Sequence, residues 1–128
     1  MARDKPAVGD EATLEVTVTE EMLVEILGRR IHPVYATAWM VRHMEEAARM
    51  LIEPHLGPDE DGTGFAVSLV HERPARAGDG LTVTAQCTRV DEKECEAVVR
   101  VEGPDGRIGI GTVTQRYIPK GLFEEEGR

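Results

Sequence analysis

Hydrophobic residues recur at helical spacing in one long segment of the chain, between Pro33 and Pro54. At about 100° per residue, the apolar side chains from Trp39 to Ile52 cover an arc of roughly 220°. The remaining strip is narrow and carries the charged residues Arg42, Glu46, Arg49 and Glu53. We predict a helix from about Thr37 to the residue before Pro54, because proline disfavours helix at the position that precedes it. So wide an arc indicates a central helix that a sheet wraps and that a further layer covers.

Most of the remaining chain alternates apolar and polar residues, which is typical of half-buried strands. The predicted strands run from Glu11 to Thr19, Thr63 to His71, Leu81 to Val90, Cys95 to Val101 and Ile108 to Ile118. A short helix is predicted between Thr19 and Gly28 from its apolar residues Met22, Leu23, Ile26 and Leu27. This order predicts an α+β fold, with an antiparallel sheet around one long helix. The length suits a single domain over residues 1–128.

Composition favours a globular protein over a membrane-spanning or secreted one. Hydrophobic residues make up 41% and charged residues 30% of the chain, as in globular proteins. No apolar run reaches the ~18–20 residues that cross a bilayer, so we expect a soluble protein with no membrane partner. Residues 1–6 lack the apolar stretch of a secretory signal, and we therefore expect a cytoplasmic protein.

Charge and cysteine content bear on nucleic-acid binding, disulfide bonds and metal sites. Fifteen basic and 24 acidic residues give a net charge of −9, which disfavours a nucleic-acid partner. Cys87 and Cys95 form no CxxC motif and are predicted to be free thiols. Histidine and cysteine spacings typical of metal sites are absent from the sequence, so we predict no metal.

Four polar residues are candidates for chemistry, each with a structural alternative. Glu45 borders the apolar arc; it is either functional or held by Arg49, four residues on. Thr37 is either functional or an N-cap. His71 ends a strand that is expected to place Phe65, Val67, Leu69 and His71 on one face. His43 falls within the apolar arc, where a hydrogen-bonded core histidine is the favoured interpretation.

The combination of these residues resembles the fluoroacetyl-CoA thioesterase family of hotdog-fold proteins. In that family a threonine opens the central helix, a glutamate follows eight residues later, and a histidine ends a strand twenty-six residues beyond the glutamate. Thr37, Glu45 and His71 keep both spacings. The resemblance runs through the segments 34–47, 64–71, 77–85 and 108–112, and so covers nearly the whole chain.

The resemblance implies a hotdog fold, in which an antiparallel sheet of five or six strands curls around the helix. Two protomers would join their sheets edge to edge, as a homodimer or a higher oligomer, with active sites at the interface. The implied reaction is hydrolysis of a short-chain acyl-CoA to the free acid and CoA, with CoA as part of the substrate and no separate cofactor. Glu45 would act as nucleophile or base, and His71 would transfer the proton. Thr37 would orient the carboxylate or the substrate. The candidate substrate-binding residues are Gly64, Tyr35 and Arg73.

Physical chemistry agrees with this reaction. A thioester carbonyl at the helix start would meet free N–H groups, which stabilise an oxyanion, and Gly64 permits close approach of the backbone. One departure concerns selectivity. The family's fluoroacetate-resistance enzyme carries phenylalanines in a lid before the helix, whereas this chain has residues 28–32, Gly-Arg-Arg-Ile-His.

Two alternatives remain open at the level of sequence. A hotdog enoyl-CoA hydratase would also use a carboxylate and a histidine, although its usual Asp-x-x-x-x-His signature is absent. A non-catalytic hotdog dimer that binds acyl-CoA or another small ligand is the other. Only a measurement of activity separates that binding protein from an enzyme.

Overall fold

A sixteen-residue helix, α1 (Thr37–Ile52), lies against one five-stranded antiparallel sheet in the computed structural model, which describes residues 5–124. The strands are β1 (Glu11–Thr17), β2 (Leu23–Ile26), β3 (Arg29–Tyr35), β4 (Glu60–His71), β5 (Gly80–Val90), β6 (Glu94–Gly103) and β7 (Gly106–Pro119). The large sheet has the order β1-β5-β6-β7-β4, while β2 and β3 form a separate hairpin. Single 3-10 turns occupy Glu20–Met22 and Glu53–His55. The α+β fold predicted from the sequence is therefore confirmed.

The core lies between α1 and the concave face of the sheet. The helix buries the side chains of Met40, His43, Met44, Ala47, Ala48, Leu51 and Ile52. The strands supply alternate residues, among them Val83, Val99, Val101 and Val113, none with measurable exposure. The predicted helix and its end before Pro54 are confirmed. Met50, at the margin of the predicted arc, is 41% exposed, so this chain alone does not cover the whole arc.

The predicted short helix between Thr19 and Gly28 is wrong, because the chain turns once and then forms the β2–β3 hairpin. Leu27 and Gly28 form the turn with positive φ values of 55° and 78°. Two consecutive left-handed residues match the twist of a two-residue hairpin and cannot continue a right-handed helix. Thr19 precedes the 3-10 turn but makes no side-chain cap hydrogen bond.

Strand β4 begins at Glu60 rather than Thr63 and forms one edge of the sheet. Its pairing with β7 shifts between Gly64 and Ala66, so Phe65 is an extra residue in a β-bulge. The predicted common face of Phe65, Val67, Leu69 and His71 is therefore wrong for Phe65. Three apolar side chains of this strand are exposed in the single chain: Phe65 at 55%, Val67 at 37% and Val70 at 61%.

Further expectations concern the termini and the cysteines. Within residues 5–124 no helix is long and apolar enough to cross a membrane. Residues 1–4, part of the segment used to predict the absence of a secretory signal, lie outside the described residues. Cys87 and Cys95 are both buried free thiols, as predicted, with their Sγ atoms 3.8 Å apart.

Candidate active site

The first turn of α1 carries Thr37, whose hydroxyl reaches the histidine at the end of β4. Ala36 is the N-cap residue and makes no side-chain cap. Thr37 Oγ1 is instead 2.7 Å from Nδ1 of His71. The alternative interpretation of Thr37 as a helix cap is therefore wrong. A residue pair separated by 34 positions in sequence is brought into direct hydrogen-bond contact.

The imidazole of His71 is half-buried, and burial determines its charge state. Burial lowers the pKa of His71 below its ordinary value of 6.5, an effect that a backbone contact with Arg73 partly opposes. Its Nε2 atom is fully buried and makes no hydrogen bond within the described residues. At neutral pH the side chain is therefore an uncharged imidazole, and its Nε2 has no hydrogen-bond partner among the described residues.

Tyr35, the last residue of β3, packs between two histidines. Its hydroxyl lies 2.6 Å from Nδ1 of His43, and the two rings are nearly parallel at a centroid distance of 5.9 Å. Its ring also meets His71 edge-on, with centroids 6.0 Å apart and planes at 73°. The interpretation of His43 as a hydrogen-bonded core histidine is confirmed. Tyr35, predicted to bind substrate, has its hydroxyl engaged by His43.

Glu45 lies two turns further along α1, half-buried, with its carboxylate against the backbone of Gly64 on β4. A Cβ atom built on Gly64 would overlap this carboxylate, so only glycine leaves the necessary space. The alternative pairing with Arg49 is wrong. Arg49 contacts Glu53 at 3.5 Å, and its Nη1 lies 3.0 Å from Asp61 and 3.1 Å from the carbonyl oxygen of Gly62. Among residues 5–124 the Glu45 side chain makes no ion pair.

The bulge at Phe65 explains how β4 presents both Gly64 and His71 to the helix. Seven positions along a regular strand would place the two residues on opposite faces. Their partners on β7, Gln115 and Gly109, are six positions apart and so share a face. The extra residue therefore restores the alternation and aims Gly64 and His71 at α1.

The candidate residues divide between two cavities in the single chain. The Glu45 cavity is lined by Arg42, Glu45, Glu46, Arg49, Gly62, Thr63, Gly64 and Gln115. The Thr37 cavity is lined by Val24, Val34, Tyr35, Thr37, His71, Glu72, Arg73 and Pro74. Gly64 was expected beside the helix start but lies instead with Glu45. One protomer thus brings Thr37 to His71 and Glu45 to Gly64, but not the two pairs together.

Arg73 is the basic residue nearest to the Thr37–His71 pair in sequence and lines the same cavity. Its Nη1 donates to the backbone oxygen of Asp105 at 3.3 Å, while the neighbouring Glu72 is paired with Arg107 at 2.8 Å. Arg73 is exposed and keeps further donors available to an anionic ligand.

A metal-binding group is absent from the part of the chain that the structure describes. The described residues contain no group of three or more His, Cys, Asp or Glu side chains that could hold a metal ion.

Comparison with known proteins gives a consistent family. The family model described as fluoroacetyl-CoA-specific thioesterase (FlK) matches residues 18–121. A fluoroacetyl-CoA thioesterase from Streptantibioticus cattleyicolor is 36% identical over 97 residues, which span 74% of this chain and 68% of that protein.

Two solved structures support the same fold. A hypothetical protein from Thermus thermophilus, described as a thioesterase superfamily member, is 40% identical, with a TM-score of 0.85 over 90% of this chain and 85% of that chain. A hot-dog-like protein from Thermanaerovibrio acidaminovorans has a TM-score of 0.82 at 19% identity, over 94% of each chain. The predicted hotdog fold is confirmed.

Proposed function

The chain belongs to the fluoroacetyl-CoA-specific thioesterase family and is a thioester hydrolase; from that premise we propose that it hydrolyses short-chain acyl-CoA at a site shared by two copies of the chain. The observation that carries this proposal is the hydrogen bond between Thr37 and His71. It joins two residues that keep the family spacing and leaves Nε2 of His71 without a hydrogen-bond partner among the described residues. The carboxylate of Glu45, seated against Gly64, supplies the third group.

The separation of these groups within one chain argues for a shared site. Thr37 and Glu45 are eight residues apart on α1, which corresponds to about 12 Å along the helix axis. Gly64 and His71 are about 20 Å apart along β4. A small acyl group cannot contact both pairs in one chain. A second copy must therefore bring Glu45 to the Thr37–His71 pair.

Pairing of β4 with the same strand of a second copy would do this. The strand is an edge strand with exposed Phe65, Val67 and Val70, and such an edge is a template for pairing with another chain. In an antiparallel pairing centred on Ser68, Gly64 of each copy lies opposite His71 of the other once the bulge is counted. Opposite residues in such a pair are about 5 Å apart. The two-fold symmetry of a homodimer then creates two equivalent sites.

In this site the thioester carbonyl would lie between Glu45 of one copy and the helix start of the other. Free N–H groups in the first turn of α1 and the positive end of its dipole stabilise the oxyanion. Glu45 either attacks the carbonyl carbon, displacing CoA thiolate and forming an anhydride that water cleaves, or removes a proton from the attacking water.

His71 moves the proton in either route. In the tautomer whose Nδ1–H donates to Thr37 Oγ1, Nε2 would accept a proton from water, directly or by way of Glu45, and deliver it to the CoA thiolate. The products are the free acid and CoA, and Glu45 returns to the carboxylate. Arg73, which lines the Thr37 cavity, would bind the phosphates of CoA.

The hairpin before the helix bears on the acyl group. Gly28 lies in its turn, and Ile31 on β3 is 38% exposed; the family resemblance implies lid phenylalanines in this region of the fluoroacetate-resistance enzyme. Lacking those aromatic side chains, the protein is proposed to hydrolyse fluorinated and unfluorinated short acyl groups at similar rates. Comparison of kcat/KM for acetyl-CoA and fluoroacetyl-CoA tests this.

Subunit complementation tests the shared site. Thr37→Ala and Glu45→Gln are each expected to abolish most activity as homodimers. When the two variants are unfolded, mixed and refolded, half of the dimers combine one copy of each. Each such dimer contains one site with both wild-type groups, so about a quarter of the wild-type activity returns. No recovery in a mixture shown to contain mixed dimers would overturn the shared site. Absence of acyl-CoA hydrolysis by the unaltered protein would overturn the function itself.

A further inference from the structure

We propose that Tyr35 and His43 are positioning residues, which hold the His71 imidazole in place against Thr37 through the edge-on contact of the Tyr35 ring. The inference rests on the proposed function, since His71 matters to turnover only if it transfers the proton. Neither residue need touch the substrate. Their contribution is to limit the orientations that His71 can adopt.

The first step is that the Tyr35 ring is itself held in place. Tyr35 is 1% exposed and His43 is 5% exposed, and their hydrogen bond of 2.6 Å is protected from water. The backbone N–H of Tyr35 also donates to the carbonyl oxygen of Ala75, at 2.8 Å, shortly after β4 ends. A ring fixed by its hydroxyl at one end and by its backbone at the other has little freedom to tilt.

The second step is that this fixed ring restrains His71. The hydrogen bond to Thr37 fixes the position of Nδ1 but leaves the imidazole free to swing about that contact. The Tyr35 ring, at 73° to the imidazole plane, prevents the imidazole from rotating toward that side. Edge-to-face contacts of aromatic rings favour this geometry. The contacts with Thr37 and Tyr35 come from different directions and together limit where Nε2 points.

Burial keeps both members of the Tyr35–His43 pair neutral, and the charged groups near them change this only in part. Burial lowers the pKa of His43, and Glu46 opposes this effect while Arg42 adds to it. Burial, with a smaller contribution from Glu46, raises the pKa of Tyr35. The hydrogen bond is thus one between uncharged partners and does not weaken between pH 7 and pH 9. Around His71, the charged side chains that line its cavity are Glu72 and Arg73.

A set of three variants distinguishes positioning from simple support of the core. His43→Leu leaves the Tyr35 hydroxyl buried without its partner, and Tyr35→Phe leaves His43 in the same condition. The double variant removes both polar groups, which restores much of the lost stability because no buried group is then left unsatisfied. If the two residues position His71, Tm should recover in the double variant while kcat stays about tenfold below wild type and KM is unchanged. The reason is that small displacements of a reacting group slow the reaction strongly.

Val83→Ala is the matched control for loss of stability. Val83 is fully buried on β5, three strand spacings or about 14 Å from β4. This variant should lower Tm and leave kcat unchanged. If kcat recovers together with Tm in the double variant, Tyr35 and His43 only support the core and the proposal is wrong.

Nuclear magnetic resonance of the His71 imidazole gives a readout that does not depend on turnover. Loosening the Tyr35 ring admits water to His71, so its pKa should rise toward the ordinary value of 6.5 in all three variants. An unchanged titration of His71 in every variant would refute positioning even if the protein is a thioesterase. Conversely, a shifted titration in a protein that hydrolyses no acyl-CoA would refute the proposed function and leave the positioning intact.

Discussion

Gly64 offers the sharpest test of where the Glu45 carboxylate must lie. A Cβ atom added at Gly64 overlaps a carboxylate oxygen of Glu45. To reach ordinary van der Waals distance, that oxygen must withdraw by about 1 Å, and a displacement of this size at a reacting group costs up to ~10²-fold in rate. We therefore expect Gly64→Ala to lower kcat by about 30- to 100-fold.

The same substitution should leave the fold intact. The φ angle of Gly64 is not positive, so alanine meets no backbone strain there. The group in the way is the end of a flexible side chain rather than backbone. Replacing glycine where the backbone suits alanine stabilises a protein by about 0.4–1 kcal/mol through the unfolded state. Moving the carboxylate offsets part of this gain, and Tm should change by only a few degrees.

Gly80→Ala is the matched control, because a Cβ atom there meets nothing within 4 Å and its φ is also not positive. Steady-state hydrolysis of acetyl-CoA, followed through the released thiol, and thermal unfolding should be measured for both variants. Gly80→Ala should behave as wild type in both. Wild-type kcat in a folded Gly64→Ala protein would refute the argument that Glu45 acts from its position against β4.

The other predictions concern charge, pH and the thiols. Glu45→Gln should lower turnover by ~10²-fold or more without unfolding the protein, whereas Glu46→Gln, on the exposed strip, should change turnover little; equal effects would contradict the assignment. The lowered pKa of His71 means that its neutral form persists below pH 6.5. The acid limb of kcat/KM should therefore lie below pH 6.5, and the stability associated with this burial should be lost as pH falls through the folded pKa. Because Cys87 and Cys95 are free thiols, the unreduced, denatured protein should titrate two thiols. Burial and the neighbouring thiol raise the pKa of Cys95 to about 12, so the thiols of the native protein should react slowly.

The helix and the central strands could be predicted because each repeats one period over many residues. The buried residues of α1 and the alternating burial in β5 and β6 follow the periods read from the sequence. The β2–β3 hairpin was missed because its first strand has four residues, too few to separate a period of 2 from one of 3.6. The available signal was Gly28 between two segments that contain β-branched residues, Leu23–Ile26 and Arg29–Tyr35, which is compatible with a two-residue turn.

The arrangement of the candidate residues could not be predicted from the sequence. The family spacing singles out Thr37, Glu45 and His71 as candidates, yet says nothing about which pair meets in one chain. The Tyr35–His43 hydrogen bond was missed because it joins β3 to α1, and the sequence does not give the relative placement of those two elements. The bulge at Phe65 has no signature in the alternation of the strand, because it inserts one apolar residue into an apolar run.

In the proposed dimer, the exposed edge of β4 would link stability to activity. Leaving Phe65, Val67 and Val70 in water is unfavourable, and pairing two copies of the strand would bury them and satisfy the open edge. The same pairing would join each Glu45 to the Thr37–His71 pair of the other copy. A dissociated monomer would keep both pairs but hold them about 20 Å apart along the strand, so it could be folded and still inactive. Specific activity should therefore fall on dilution along the same curve as the dimer fraction measured by sedimentation. Full activity in a sample that sediments as a monomer would show that one chain suffices.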